Sequence, residues 1–200
     1  MKLSDFSFCT LGAPIRDLSS FDCGRKSIND FFRNEALDYQ SELFGKTYLL
    51  TPRNDLSKVA AAFTVANASL FTRLLPNSRK KKVGYEVRHS KGDINHPAVL
   101  LGQLGVDLQF AGHGLGSQII EFVAQWFAGE KNKSGCRHMI VDAFNESELL
   151  SFYANCGLMP VFGNIEQERK YRQLEDDGRP LNTRLLYRDL VLLRRKSIRG

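Results

Sequence analysis

The sequence predicts an α/β protein built on a mixed central sheet of six to seven strands with helices on both faces, and three observations carry that expectation. Apolar residues make up 42% of the 200-residue chain and charged residues 25%, the balance of a globular domain whose core needs no disulfide or metal. From residue 97 onward, apolar strand-like runs alternate with stretches of helical period, an order that pairs strands in parallel through a right-handed crossover. Near the middle of the chain a buried-strand pattern runs straight into a glycine-rich segment that opens an amphipathic helix. The same composition excludes a disordered chain, a collagen-like repeat and a coiled coil. No apolar run reaches the roughly 20 residues that span a bilayer. Asp5 stands where a signal peptide needs an apolar block, so a cytoplasmic protein with no membrane partner is expected.

The elements follow in order. Residues 6–11 alternate weakly and predict a first strand. The turn cluster 19–24 leads to a helix over residues 27–43, where Ile28, Phe31, Phe32 and Ala36 give a partial 3.6-residue period and Ser27 is placed as its N-cap. Residues 47–51 form a short apolar strand stopped by Pro52 and Asn54, and residues 59–71 supply its hairpin partner. Residues 73–96 are polar, basic and rich in turn formers, and predict a long excursion. Residues 97–107 are nearly all apolar, as for a strand covered on both faces. A helix over 114–128 carries Leu115, Ile119, Phe122, Val123, Trp126 and Phe127 on one stripe. A strand over 138–143, a helix over 146–156, a charged surface helix within 164–179 and a last strand over 184–192 complete the chain. Residues 1–192 are thus expected to form a single domain, followed by a basic C-terminal tail at 193–200.

The net charge of +6 is segregated. Residues 73–91 hold Arg73, Arg79, Lys80, Lys81, Lys82, Arg88 and Lys91 against Glu86, and residues 184–200 hold six cations against Asp189, leaving the rest of the chain net negative. Such segregation suits either a polyanion-binding patch or a solvated loop and tail. Cysteines at 9, 23, 136 and 156 show neither C-x-x-C spacing nor a histidine cluster, so no metal site is expected.

The most informative segment is 103–117. Its glycines let the backbone turn tightly, and the free N–H groups of the first helical turn then favour an anion. A Walker loop is excluded because no lysine precedes Ser117. A dinucleotide fingerprint is excluded because position 117 is serine where a third glycine is required. Gln109-x-x-Gly112-x-Gly114, continued by Leu115 and Gly116, fits the acyl-coenzyme A pattern Q/R-x-x-G-x-G/A.

With Leu104-Gly105-Val106-Asp107 before that loop and the segment from Asn145 through Phe152, Tyr153 and Gly157 to Leu158 after it, the chain resembles GNAT-family (GCN5-related) N-acetyltransferases over residues 1–192. The opening Phe21-Asp22-Cys23-Gly24 and the following Ile28, Phe31 and Phe32 are similar to the branch of toxin–antitoxin acetyltransferases that act on aminoacyl-tRNA. The resemblance implies a GNAT-like sheet splayed after strand 97–107, with acetyl-CoA as cosubstrate. Backbone groups at Leu104, Gly105 and Val106 would pair with the pantetheine arm. Those of Gln109, Gly112, His113, Gly114, Leu115, Gly116 and Ser117 would hold the pyrophosphate, with His113 facing solvent.

Tyr153 is the implied general acid toward the departing thiolate; a phenol near pKa 10 stays protonated at neutral pH. Its spacing with Leu149, Phe152 and Cys156 equally fits a core tyrosine. Asn145 either helps hold the cofactor or caps the following helix. Asp107 and Glu86 are available as a general base, each also explicable as a cap or a surface charge, and the base is left unassigned. Direct acetyl transfer to a primary amine is the expected reaction, with aminoacyl-tRNA the leading acceptor through the two basic stretches. The alternatives are a protein or small-molecule amine, or a non-catalytic nucleic-acid-binding module on the same fold. An antitoxin is the candidate protein partner, and a monomer or homodimer fits equally.

Overall fold

The computed structural model describes residues 1–12, 18–84, 95–174 and 178–194. Seven strands form one mixed sheet in the order β1-β2-β3-β4-β5-β7-β6. The chain divides into two compact units, Met1–Asn67 with Leu101–Val123, and Ala68–Leu100 with Ala124–Gly200. Strands β3 (Ala61–Phe71) and β4 (Asn95–Val106) each run through both.

In the first unit, β1 (Phe6–Thr10) pairs antiparallel with β2 (Lys46–Pro52), and β2 with β3, placing Tyr48 opposite Phe63. Phe8 stacks on Tyr48 at 5.0 Å and on Phe63 at 6.0 Å, with Phe122 edge-on at 5.3 Å. Such offset and edge contacts each add about 0.5–1.5 kcal/mol beyond area burial. The expected helix at 27–43 is broken into α1 (Lys26–Asp30), a π-helical turn (Phe31–Glu35) and α2 (Ala36–Ser41). Ser27 is not its cap: the helix starts at Lys26, and the N-cap position is Arg25, which makes no side-chain cap bond. The wider π turn accompanies the burial of both Phe31 and Phe32, which contact each other at 5.5 Å while Phe32 also meets Phe21 at 5.7 Å. The 3.6-residue pattern carried no signal for it.

In the second unit, β4 pairs in parallel with β5 (His138–Phe144) over Ala98–Leu100 and His138–Ile140. β5 pairs antiparallel with β7 (Thr183–Asp189) over seven residue pairs, and β7 with the two-residue β6 (Met159–Pro160). Between these strands lie α3 (Asn77–Val83), α5 (Ser147–Asn155) and α6 (Ile165–Tyr171), while α4 (Leu115–Ala128) begins in the first unit and ends in the second. The last strand stops at Asp189 rather than at 192, because Leu190 turns the chain and accepts from the N–H groups of Leu193 and Arg194.

Two features of this unit depart from the charge pattern. The expected surface segment 164–179 contributes a fully buried carboxylate at Glu168, which accepts from Arg184 Nε at 2.6 Å, from Arg172 Nη2 at 2.8 Å and from the Leu185 N–H at 2.6 Å. Arg172 also grips Asp142 with both Nη atoms. Arg79, counted among the basic patch, donates to the carbonyls of Val161 and Pro160 and so serves the fold. Glu86, Arg88 and Lys91 of the first basic stretch and the tail at 195–200 lie outside the described residues.

His96 and His138 are both buried, with His96 Nδ1 2.9 Å from His138 Nε2. Burial lowers both imidazoles below the ordinary range, His138 to about 3. Below pH ~6.5 the unfolded chain takes up protons that these rings refuse in the fold. Stability is therefore expected to be fully present above pH ~6.5 and to fall as pH drops toward 3, with a shallower acid limb in His138→Phe, as measured by urea unfolding at a series of pH values. Glu168→Ala is expected to cost about 3–5 kcal/mol at pH 7 by the same measurement, because it strands Arg184 in a largely buried site.

Candidate active site

In the first unit β4 ends at Val106 and Asp107 begins a short 3-10 turn (Leu108–Phe110). Asp107 caps this turn: its side chain accepts from the Gln109 N–H at 2.9 Å, and its carbonyl accepts from the Phe110 N–H at 2.8 Å. The Ala111 N–H points to the Leu108 carbonyl. Three loop donors are thus already used. Gly112 and Gly114 then adopt left-handed φ values of +78° and +73°, with His113 between them on the ordinary side. Alternation of this kind turns successive N–H groups toward one side. Helix α4 starts at Leu115, so its first N–H groups also lack intrahelical acceptors.

Consequently the N–H groups of Gly112, His113, Gly114, Leu115, Gly116 and Ser117 donate to no acceptor among the described residues. Residues 111–114 are exposed, and a Cβ at Gly112 would meet nothing within 4 Å. The Ser117 hydroxyl folds back onto the Gly114 carbonyl at 2.8 Å and secures the turn without blocking a donor. An open run of six unsatisfied main-chain donors at the start of a fourteen-residue helix fits a polyanion such as a pyrophosphate. The expected donor set thereby narrows from 109–117 to 112–117. Leu104 and Val106 are half-buried on the last residues of β4, and Gly105 between them is buried. A Cβ at Gly105 would lie 3.1 Å from both the Cys23 Cβ and the Phe21 ring.

In the second unit, β5 delivers Asn145 and α5 delivers Tyr153. The Asn145 side-chain amide donates to the Leu181 carbonyl at 2.8 Å, and its N–H donates to the Asn182 carbonyl. It does not cap α5, whose N-cap position is Glu146. No residue of α5 is fully buried, and Tyr153 is half-buried, in contrast to the fully buried Tyr187. Tyr153 contacts Phe152 at 5.2 Å in an edge arrangement, and its carbonyl accepts from Cys156 and Leu158 where Gly157, at φ +79°, ends the helix. Burial raises the Cys23 thiol and pushes Cys136 up to about 11, the opposite of what a thiolate nucleophile needs. Among the described residues no group of three or more His, Cys, Asp or Glu could hold a metal ion. No helix is long and apolar enough to cross a membrane among those residues.

The mixed sheet and its strand–glycine loop–helix unit have a GNAT-like fold. Among solved structures it is similar to AtaT complexed with acetyl-methionyl-tRNAfMet, at 20% identity and a TM-score of 0.70 over 95% of this chain and 98% of that one. A tyrosine-to-phenylalanine mutant of KacT matches at 20% identity and a TM-score of 0.69 over 96% and 98%. A tyrosine-to-phenylalanine mutant of the AtaT toxin, bound to the C-terminus of the antitoxin AtaR and acetyl-CoA, matches at 21% and 0.66 over 94% and 98%. No protein-family model matches the chain.

Position 112 isolates backbone conformation from crowding. Gly112→Ala is expected to lose about 1 kcal/mol of stability in urea unfolding, because the only cost is the left-handed φ. The same substitution should weaken pyrophosphate binding, as read by titration calorimetry.

Proposed function

We propose that this protein is an acetyl-CoA-dependent N-acetyltransferase whose acceptor is the amino group of aminoacyl-tRNA. The observation that carries the acetyl-CoA part is the open run of N–H donors at 112–117. The acceptor is supported by the likeness to AtaT complexed with acetyl-methionyl-tRNAfMet and by the basic segments of the sequence. Bound acetyl-CoA supplies an acetyl thioester. Gly112 to Ser117 hold its pyrophosphate, Leu104, Gly105 and Val106 offer backbone groups to the pantetheine arm, and Asn145 steadies the β5–α5 connection. Tyr153 is the proton donor to the leaving sulfur, a role open to a phenol because its ordinary pKa lies near 10. An α-amino group near pKa 8 needs little help to become a nucleophile, so no side-chain base is assigned. Residues 1–192 act as one acetyltransferase domain in the cytoplasm. An antitoxin is the proposed protein partner, as AtaR is for AtaT.

Arg79 and Arg184 are committed to internal acceptors, so phosphate contact falls to other cations of the two basic segments, Arg73, Lys81 and Lys82 among them. Binding of tRNA should weaken steeply as salt rises, with a log–log slope that shrinks when Lys81 and Lys82 are both replaced by alanine. A flat response in an electrophoretic binding assay counts against RNA as the acceptor.

Transfer of radiolabelled acetyl groups in a total cell extract, resolved into RNA, protein and small-molecule fractions, tests the acceptor directly. Label in tRNA is expected; label only in protein or in small amines moves the acceptor to that class. Tyr153→Phe should lower kcat by about 10²–10⁴-fold while leaving acetyl-CoA affinity nearly unchanged. A variant that loses affinity in step with turnover would make Tyr153 a structural residue.

A further inference from the structure

The loop that offers its N–H groups at 112–117 is fastened at its root by one buried carboxylate. Asp107 is 6% exposed, and its two oxygens face different segments of the first unit. Oδ1 accepts from the Gln109 N–H at 2.9 Å, and Oδ2 accepts from the Asp22 N–H at 3.0 Å. The Leu108 N–H returns a bond to the Asp22 carbonyl at 2.8 Å, and the Asp107 N–H reaches the Ala60 carbonyl on the other side at 2.9 Å. Residues 107–109 are therefore gripped by four bonds, two of which end on the carboxylate.

The far end of this clamp is itself held. Asp22 Oδ1 accepts from the Gly24 N–H at 2.8 Å and from Asn29 Nδ2 at 2.7 Å. The Gly24 N–H, followed by Asn29, keeps the Asp22 carboxyl below the usual carboxylate range. Asn29, buried on α1, accepts the Cys23 N–H at 3.0 Å through Oδ1. Segment 21–24 also lies hard against Gly105, where no Cβ would fit without displacing Cys23 or Phe21. A rigid path thus runs from α1 through Asn29, Asp22 and Asp107 to Gln109, immediately before the free donors.

We propose that Asp107 is a positioning residue for the phosphate-binding loop: its carboxylate ties Asp22 to Gln109 and so holds 112–117 in the shape that receives the pyrophosphate of acetyl-CoA. This rests on the acetyl-CoA reading of the loop. Asp107 touches neither the cosubstrate nor the acceptor; it acts through Gln109. Gln109 contributes its N–H to the clamp and none to the anion. Asparagine at 107 retains one acceptor oxygen and turns an amide N–H₂ toward the second backbone donor, whereas alanine removes both acceptors.

The test compares wild type, Asp107→Asn and Asp107→Ala with two thioesters, acetyl-CoA and S-acetylpantetheine, which lacks the phosphates. Loss of one or two charge-assisted hydrogen bonds corresponds to an acetyl-CoA KM raised about 10-fold in Asp107→Asn and about 100-fold in Asp107→Ala, with kcat within about threefold of wild type. With S-acetylpantetheine, kcat/KM should stay within about threefold of wild type. An unchanged acetyl-CoA KM in a folded variant overturns the proposal, and so do equal losses with both thioesters, which would make the residue merely structural.

Amide hydrogen exchange on the wild-type protein keeps the test independent of variant folding. The Asp22 and Gln109 amides should be protected without ligand, while those of 112–117 exchange fast and become protected when coenzyme A is added. A Gln109 amide that exchanges as fast as that of Gly112 overturns the clamp. If wild type binds no coenzyme A at all, the reading of the loop itself fails, a result distinguishable from failure of the clamp.

Discussion

A buried or constrained backbone must place every N–H somewhere, and over residues 112–117 the described residues supply no acceptor. Amides from Asp107 to Ala111 find acceptors on Ala60, on Asp22 and within the turn itself, and that of Gln118 bonds to the Gly114 carbonyl just before α4. The six between do not. Water can solvate them, but their spacing is set by two left-handed glycines and by the helix start rather than by any acceptor. Everything around the run opposes relaxation. Ser117 ties back to Gly114, Asp107 closes the 3-10 turn, and the turn is bonded to Asp22. Preorganisation of this kind means that the cost of arranging donors falls on folding rather than on binding.

The two units solve their internal polar problems differently. The first stacks Phe8, Tyr48 and Phe63, buries the hydroxyl pair Thr47–Thr64 at 2.7 Å, and satisfies its buried Asp107 carboxylate with backbone N–H groups rather than a cation. The second buries charge: Glu168 with Arg172 and Arg184, and Arg137 with Asp189 at 2.6 Å. A buried network of this sort adds little net stability over an apolar substitute, yet breaking it is costly because the remaining partner is stranded. It also withdraws cations from the surface, so charge counted along the sequence overstates what a polyanion would meet.

Much of this was legible in the sequence, for reasons that can be assigned. Strands at 6–10, 46–52, 61–71 and 138–144 follow from short β-branched or apolar runs bounded by turn residues, and α4 from its repeating apolar stripe. The turns at Gly112 and Gly114 were readable because glycine spacing reports backbone conformation directly. Other features were not. The π turn at 31–35 depends on packing Phe31 and Phe32 together, which no period encodes. Glu168 sits in a charged stretch and looked solvated; two of the donors that let it be buried, Arg184 and the Leu185 N–H, lie sixteen and seventeen residues on. Asp107 was visible as a cap or a base, but its second oxygen serves Asp22, eighty-five residues earlier, and that pairing has no local signature.

Because the 112–117 donors belong to the main chain, most side chains in the run are spectators. His113 is exposed and free to become almost anything that tolerates its φ, while Gly112 and Gly114 are not. A site built this way leaves a faint imprint on sequence: two letters and a spacing. The fold itself is similar to that of AtaT across nearly the whole chain although only 20% of the residues are identical. Shape, rather than residue identity, is what such a site requires.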